Sequence, residues 1–247
     1  MVEAVIFAAG KGARMGYLTK DTQKCLLTVG GKPILQRNIE NLISEGVDKC
    51  IILANYKSQD IQKFLLESHL DNYCELVHTN EVSTGKSLLK VIDDLGDYFF
   101  ISHGDIIFSR NDLHNMVEFY SSIKKKNPLA SVLGTVPVSM NLTHTTTKSY
   151  QEHYLEILDC VSYDRTQKID PRSDAYSCGL GIINHESFDN YLLSVLDKPM
   201  IEAGLLKPSK NNLVFEFKMS NDCKHMETAE DYEKITRGIN YEKLFTL

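Results

Sequence analysis

An apolar run over residues 5–9, Val-Ile-Phe-Ala-Ala, passes straight into a loop that carries Gly10, Gly12 and Gly16. Unbroken apolarity of this length reads as a buried strand. The loop also holds Lys11, Arg14, Lys20 and Lys24. Glycines let backbone N–H groups come close to an anion, and cations beside them neutralise a polyphosphate. A strand feeding such a loop reads as a phosphate-handling site. An ordinary turn with solvated charges is the competing reading, and the tight alternation of glycine with cations argues against it.

The next 130 residues or so continue the theme in short units. Pro33 opens a helix in its first turn, Leu35, Ile39, Leu42 and Ile43 give it an apolar face, and Gly46 ends it. Residues 50–54 form a short buried strand, and Ser58 caps a helix facing inward through Ile61, Phe64 and Leu65. A strand at 74–78 follows, then a helix at 84–95 and a strand at 98–101 that runs into His103-Gly104-Asp105. Asn111 caps a further helix to Tyr120, and 129–136 is again strand-like. Alternation of this kind implies an α/β fold, a mixed but mostly parallel central sheet flanked by helices. Ligands of such sheets bind outside the carboxyl ends of the strands, where the glycine loop and Asp105 both fall.

Beyond residue 136 the pattern changes. Residues 139–153 are polar and read as a loop, 154–163 and 175–183 as strands that extend the sheet, 188–196 as a helix, and 214–219 as a strand. Thr228 and Asp231 form a capping box that opens a last helix to about Gly238. No repeat or low-complexity linker interrupts the chain. The expectation is one domain, with a nucleotide-binding half at 1–136 and an acceptor-binding half at 137–247.

Composition narrows the class. A net charge of −6 argues against a nucleic-acid partner, and no apolar run is long enough to span a membrane. The six cysteines are scattered without a C-x-x-C pair, which suits reduced thiols and a cytoplasmic protein.

The order of residues in the loop carries a resemblance. Gly10, Gly12, Arg14, Leu18, Thr19, Lys24 and Leu26 fall as in G-x-G-x-R-(hydrophobic)-x-P-L-T-x-x-x-P-K-x-L. This resembles the signature of the sugar-phosphate nucleotidyltransferase family. Tyr17 and Gln23 stand where the family usually has proline, so the loop's path is open to alteration. The resemblance implies a Rossmann-like nucleotidyltransferase fold, a nucleoside triphosphate and a phosphorylated small molecule as substrates, and Mg²⁺ as cofactor. It implies Arg14 and Lys24 as catalytic residues, Arg14 on the leaving pyrophosphate and Lys24 on the reacting phosphates. Ala8, Ala9, Gly10 and Gly12 would contact the nucleotide, as would Thr84, Gly85 and Lys86. Asp105 matches the family's metal-binding x-G-D aspartate.

A second metal carboxylate is expected near the last helix. In one alignment His225 takes the place of the family's aspartate; in a cytidylyltransferase-like one, Glu227 does, and Thr228, Asp231 and Tyr232 also match. We take Glu227, with His225 and Asp222 as alternatives. Ser177 and Gly179 fall near the family's acceptor-side N-A-G, and Lys168 near a lysine that contacts acceptor phosphate. The C-terminal segment is more similar to small cytidylyltransferases acting on phosphocholine or phosphoglutamine in surface-polysaccharide synthesis, which favours CTP; a sugar 1-phosphate acceptor is the competitor. Tyr150, Tyr154, Tyr163 and Tyr176 could cage a quaternary ammonium or simply pack on strands. A homodimer is left open.

Two other classes stay open. Residues 80–87 differ from a P-loop only by Asn80 in place of the first glycine, which allows a kinase using Lys86. The departures at Tyr17, Gln23 and His225 allow a nucleotide-sensing module without catalysis. A dinucleotide site is excluded, because the spacing is G-x-G-x-x-x-G and no acidic residue ends the second strand. The sequence predicts that Asp105→Asn removes Mg²⁺-dependent turnover with the fold intact, as read by pyrophosphate release and circular dichroism. Full activity in that variant would take Asp105 out of the metal set.

Overall fold

The structure, a computed structural model, describes residues 1–81, 83–137, 175–188, 214–220 and 222–238. The strand expected at 154–163, most of the helix expected at 188–196, Lys168, and Tyr150, Tyr154 and Tyr163 lie outside them. The side chains of Tyr176 and Ser177 do too.

Strand β1 (Glu3–Ala8) leads through the glycine loop to a two-strand ribbon, β2 (Thr28–Val29) and β3 (Lys32–Pro33). Then come α1 (Ile34–Ser44), β4 (Lys49–Ala54), α2 (Ser58–Glu67), β5 (Cys74–His78), α3 (Thr84–Leu88), β6 (Tyr98–His103), β7 (Ile106–Ile107), α4 (Arg110–Lys124) and β8 (Ser131–Pro137). The later described elements are β9 (Ala175–Asn184), β10 (Val214–Lys218), β11 (Lys224–His225) and a final helix, Ala229–Gly238. Among the described residues the main sheet has seven strands in the order β10-β8-β9-β6-β1-β4-β5. β1 lies parallel to β4 and β6, whereas β9 runs antiparallel to β6 and β8.

β1 is apolar from Ala4 to Ala8 because both its faces are covered. Ala4, Ile6 and Ala8 face a core shared with Leu35, Ile39 and Leu42 of α1, Ile61 and Leu65 of α2, and Leu113 and Met116 of α4. Val5 faces the opposite core with Leu88, Val91, Ile92, Leu95, Phe99 and Phe188. Each of the larger side chains among these contributes about 1.5–3 kcal/mol when fully buried. A third cluster, Met15, Leu27, Val29, Ile34, Ile107, Met226 and Ile235, seats the glycine loop on the final helix.

Several boundaries differ from the sequence reading. Pro33 precedes α1 instead of entering its first turn, since Lys32–Pro33 pairs with Thr28–Val29 across Gly30 and Gly31, both at positive φ. Lys57, in a left-handed conformation, precedes α2, and Ser58 is its first residue. Ser109, not Asn111, caps α4, accepting from the Asp112 N–H at 3.0 Å. The helix expected at 84–95 ends at Leu88, and a 3-10 turn at Ile92–Asp94 follows. Leu88, Val91, Ile92 and Leu95 are all buried, so turns with i→i+3 bonds satisfy the same apolar spacing.

The capping box at the final helix forms as expected. The Asp231 carboxylate accepts from the Thr228 N–H at 2.8 Å, and the Thr228 hydroxyl accepts from the Asp231 N–H at 3.2 Å. Thr228→Ala should therefore lower stability by about 1 kcal/mol in urea denaturation. No change would mean that packing alone holds this helix.

Candidate active site

The glycine loop is held by side chains placed below it. Gln23, 2% exposed, donates to the Ala8 carbonyl at 2.7 Å and the Gly10 carbonyl at 3.2 Å. Its carbonyl accepts from the Cys25 N–H at 2.6 Å. The residue in the family's proline position thus fixes the loop by hydrogen bonds. Gly12, at φ 62°, has Thr19 and Lys24 against it, and a Cβ there would lie 3.0 Å from the Thr19 methyl. Tyr17 is exposed and lines a shallow groove with Lys11, Lys20 and Tyr56.

Asp105 reaches the same edge because Gly104 crosses β1 closely. The Gly104 N–H donates to the Phe7 carbonyl at 2.9 Å, and a Cβ on Gly104 would meet that oxygen and Cys25 at 3.2 Å. From α1, the buried Asn38 amide donates to the carbonyls of His103 and Ile106 and so fixes the turn that bears Asp105. A short antiparallel ladder then brings in the C-terminal segment, with His225 opposite Ile106 and Lys224 opposite Ile107. The Met226 N–H donates to the Asp105 carbonyl at 3.2 Å. Upstream of the ladder, Asp112 anchors the same segment by accepting from the Ser220 N–H and hydroxyl.

These elements assemble a chain of charges. Lys24 Nζ lies 2.6 Å from Asp105 Oδ2, and Arg14 lies 2.6 Å from Glu227 Oε2. His225 stands between the two carboxylates, with Nε2 3.2 Å from Asp105 Oδ1 and Nδ1 3.2 Å from Glu227 Oε1. Burial opposes the charge on Asp105, but Lys24, His225 and His103 outweigh it and hold the carboxyl well below the usual range. Burial likewise opposes charge on His225, and Asp105 together with Glu227 overcomes it, pushing the imidazole up to about 10. The arrangement is three cations against two carboxylates, which suits a polyanionic ligand.

A cleft of about 350 Å³ opens beside Asp105. Ala9 and Gly10 line one side, Glu81, Ser83 and Thr84 another, and Asn55, Asn80 and His103 also reach it. Of the residues assigned to the nucleotide, Ala9, Gly10 and Thr84 line this cleft. Ala8 is buried in β1, Gly12 packs on Thr19 and Lys24, Gly85 is buried in α3, and Lys86 is exposed. The Ser83 hydroxyl accepts from the Lys86 N–H at 3.1 Å, an amide that a P-loop would turn to phosphate. Gly179 backs His103, and a Cβ there would lie 2.8 Å from the ring.

The sequence reading paired Asp105 with Glu227 around a metal; the structure puts His225 between them. Among the described residues, the group able to converge on an ion is His103, Asp105 and His225. Asp105 contributes one carboxylate oxygen to this group, while the other two donors are imidazole nitrogens. His103 lies in the His103-Gly104-Asp105 triplet, where the motif marks only the aspartate. Gln23 and Asn38 carry no motif signal, because their role is to hold backbone.

The nucleotidyl transferase family profile matches residues 3–143, and the chain belongs to that family. It is 31% identical over 130 residues to the bifunctional protein GlmU of Methanocaldococcus jannaschii, a match covering 51% of this chain and 31% of that protein. It is 30% identical over 125 residues to the CTP:phosphoglutamine cytidylyltransferase of Campylobacter jejuni, covering 47% and 48%. Matches to the first curated relatives thus cover less than half of those proteins' length. The fold is that of a putative glucose-1-phosphate thymidylyltransferase from Bacillus anthracis, with TM-score 0.69, 18% identity and 97% of each chain covered.

The His225 ring gives a pH signature. Its ordinary value is 6.5 and folding raises it to about 10. The charged ring adds stability in full below about pH 6.5, and that contribution is lost as pH rises through about 10. Across this window the unfolding free energy of the metal-free wild type should fall more steeply with pH than that of metal-free His225→Gln, as read by urea denaturation. Parallel curves would mean a neutral ring.

Proposed function

We propose that this chain transfers a nucleotidyl group from a nucleoside triphosphate, CTP in our reading, to a phosphorylated small molecule such as phosphoglutamine or phosphocholine, within surface-polysaccharide precursor synthesis. The observation that carries the reading is the convergence of Arg14, Lys24 and Asp105 at one sheet edge beside the cleft. An acceptor phosphate oxygen attacks the α-phosphorus in line. The bond from that phosphorus to the β-phosphate oxygen breaks, and its electron pair leaves with pyrophosphate. The acceptor is already an anion, so no protein nucleophile or base is required. Catalysis is then positioning and charge neutralisation. Lys24 offsets the repulsion between acceptor and triphosphate, and Arg14 receives charge on the departing pyrophosphate. A divalent cation would be held through Asp105 and would neutralise phosphate charge. The chain acts in this reading as one domain, with residues 137–247 shaping the acceptor side, where Lys168, Ser177 and Gly179 are assigned.

Two features support CTP. One relative carries that activity in its name, and Glu81 lines the cleft. A carboxylate accepts from the exocyclic amine of cytosine, whereas uracil and thymine present a carbonyl at that position. The relationship to glucose-1-phosphate uridylyltransferases supports a sugar 1-phosphate equally well as the acceptor.

Pyrophosphate release, measured with five nucleoside triphosphates against phosphocholine, phosphoglutamine and several sugar 1-phosphates, tests the reading. Release is expected only when one triphosphate and one acceptor are present together. ADP without pyrophosphate would instead indicate a kinase. Arg14, 58% exposed at its side chain, can be removed without disturbing the core. Arg14→Ala should lower kcat by about 100-fold. Glu81→Gln should reduce the preference for CTP over UTP by about tenfold, and an unchanged preference would remove Glu81 from base selection.

A further inference from the structure

His103, Asp105 and His225 come from the end of β6, the turn after it and β11, and each offers one donor atom within 4.8 Å of the other two. Two donors about 2.1 Å from one ion lie at most about 4.2 Å apart, so inward shifts below about 1 Å close the set. The surroundings are those of a coordination centre. His225 turns Nε2 toward Asp105 and Nδ1 toward Glu227, each at 3.2 Å. A metal that binds at Nε2 displaces the proton this nitrogen carries in the metal-free protein, and the remaining Nδ1–H then donates to a carboxylate, which fixes the tautomer and ring orientation. Glu227 is itself steadied by Arg14 at 2.6 Å. His103 is held from three sides. Gly179 lies against its ring, Phe7 meets it edge-on with centroids 5.8 Å apart, and Asn38 holds its carbonyl.

The donor chemistry selects the ion. Mg²⁺ takes oxygen ligands in a near-ideal octahedron. Two imidazoles with one carboxylate suit first-row transition dications at the Fe²⁺ to Zn²⁺ end of the series. Asp105 and His103 both line the cleft, so further coordination positions would face a ligand's phosphates there. We propose that His103, Asp105 and His225 form a transition-metal site that prefers an ion such as Zn²⁺ or Fe²⁺ to Mg²⁺, oriented by Glu227 acting on His225. The site belongs to the protein without nucleotide, so it stands or falls separately from the transferase reading.

The test uses full-length, tag-free protein stripped with a chelator, with Co²⁺ as the spectroscopic probe. One equivalent of Co²⁺ should give visible d–d bands without a thiolate charge-transfer band. Equimolar Zn²⁺ should displace it, and a 100-fold excess of Mg²⁺ should not. His225→Gln and His103→Gln should each weaken Co²⁺ by at least about tenfold, with folding checked by circular dichroism. Absence of a stoichiometric Co²⁺ spectrum, displacement by Mg²⁺ at comparable concentration, or unchanged affinity in both folded variants would overturn the proposal. The wild-type titration decides it even if a variant fails to fold.

Discussion

Asp105 is ionised in a partly buried place, and the cations gathered around it make that possible. A buried carboxylate is strongly disfavoured unless paired. Lys24 arrives from the glycine loop, and His225 from β11. Each depends on a different part of the fold, so the charge at Asp105 links the N-terminal loop, the sheet edge and the C-terminal segment. The close approach of Gly104 to β1 and the Asn38 clamp on the turn exist to hold this one carboxylate in place.

The loop shows how a missing proline can be replaced. Proline restricts a loop through its fixed φ. Gln23 instead restricts it through three hydrogen bonds, one to the Ala8 carbonyl at the end of β1, one to the Gly10 carbonyl in the loop and one from the Cys25 amide. Met15 adds an apolar anchor from beneath, buried against Met226 and Ile235. The same cluster couples the glycine loop to the final helix, and so Arg14 meets Glu227 across 213 residues of sequence.

The strand–helix order, the central buried β1, the sheet-edge position of Asp105 and the capping box at Thr228 were legible in the chain, because each is a local pattern of apolar period or cap chemistry. Helix limits were less so. The stretch beginning at Thr84 has helical spacing throughout, yet tighter turns bury the same leucines and valines, and periodicity does not separate the two. The site was legible in part. Arg14, Lys24 and Asp105 fall in motifs, and the structure brings Lys24 and Asp105 into contact. His103 and Gly179 acquire meaning only from each other, since one packs on the other across neighbouring strands.

The sequence by itself determined the family, the parallel β–α frame and the cationic loop at the edge of the sheet, because these follow from residues close together in the chain. Only the tertiary structure decided what faces Asp105 from the far end of the protein. Pairing of Ile106 with His225 places an imidazole, not a second carboxylate, against it. In a two-residue ladder the register alone selects which side chain arrives, and a shift of one position would turn His225 to the other face. No local pattern encodes that register; it is set by the Asp112 anchor on Ser220 upstream and the packing of Met226 and Ile235 downstream.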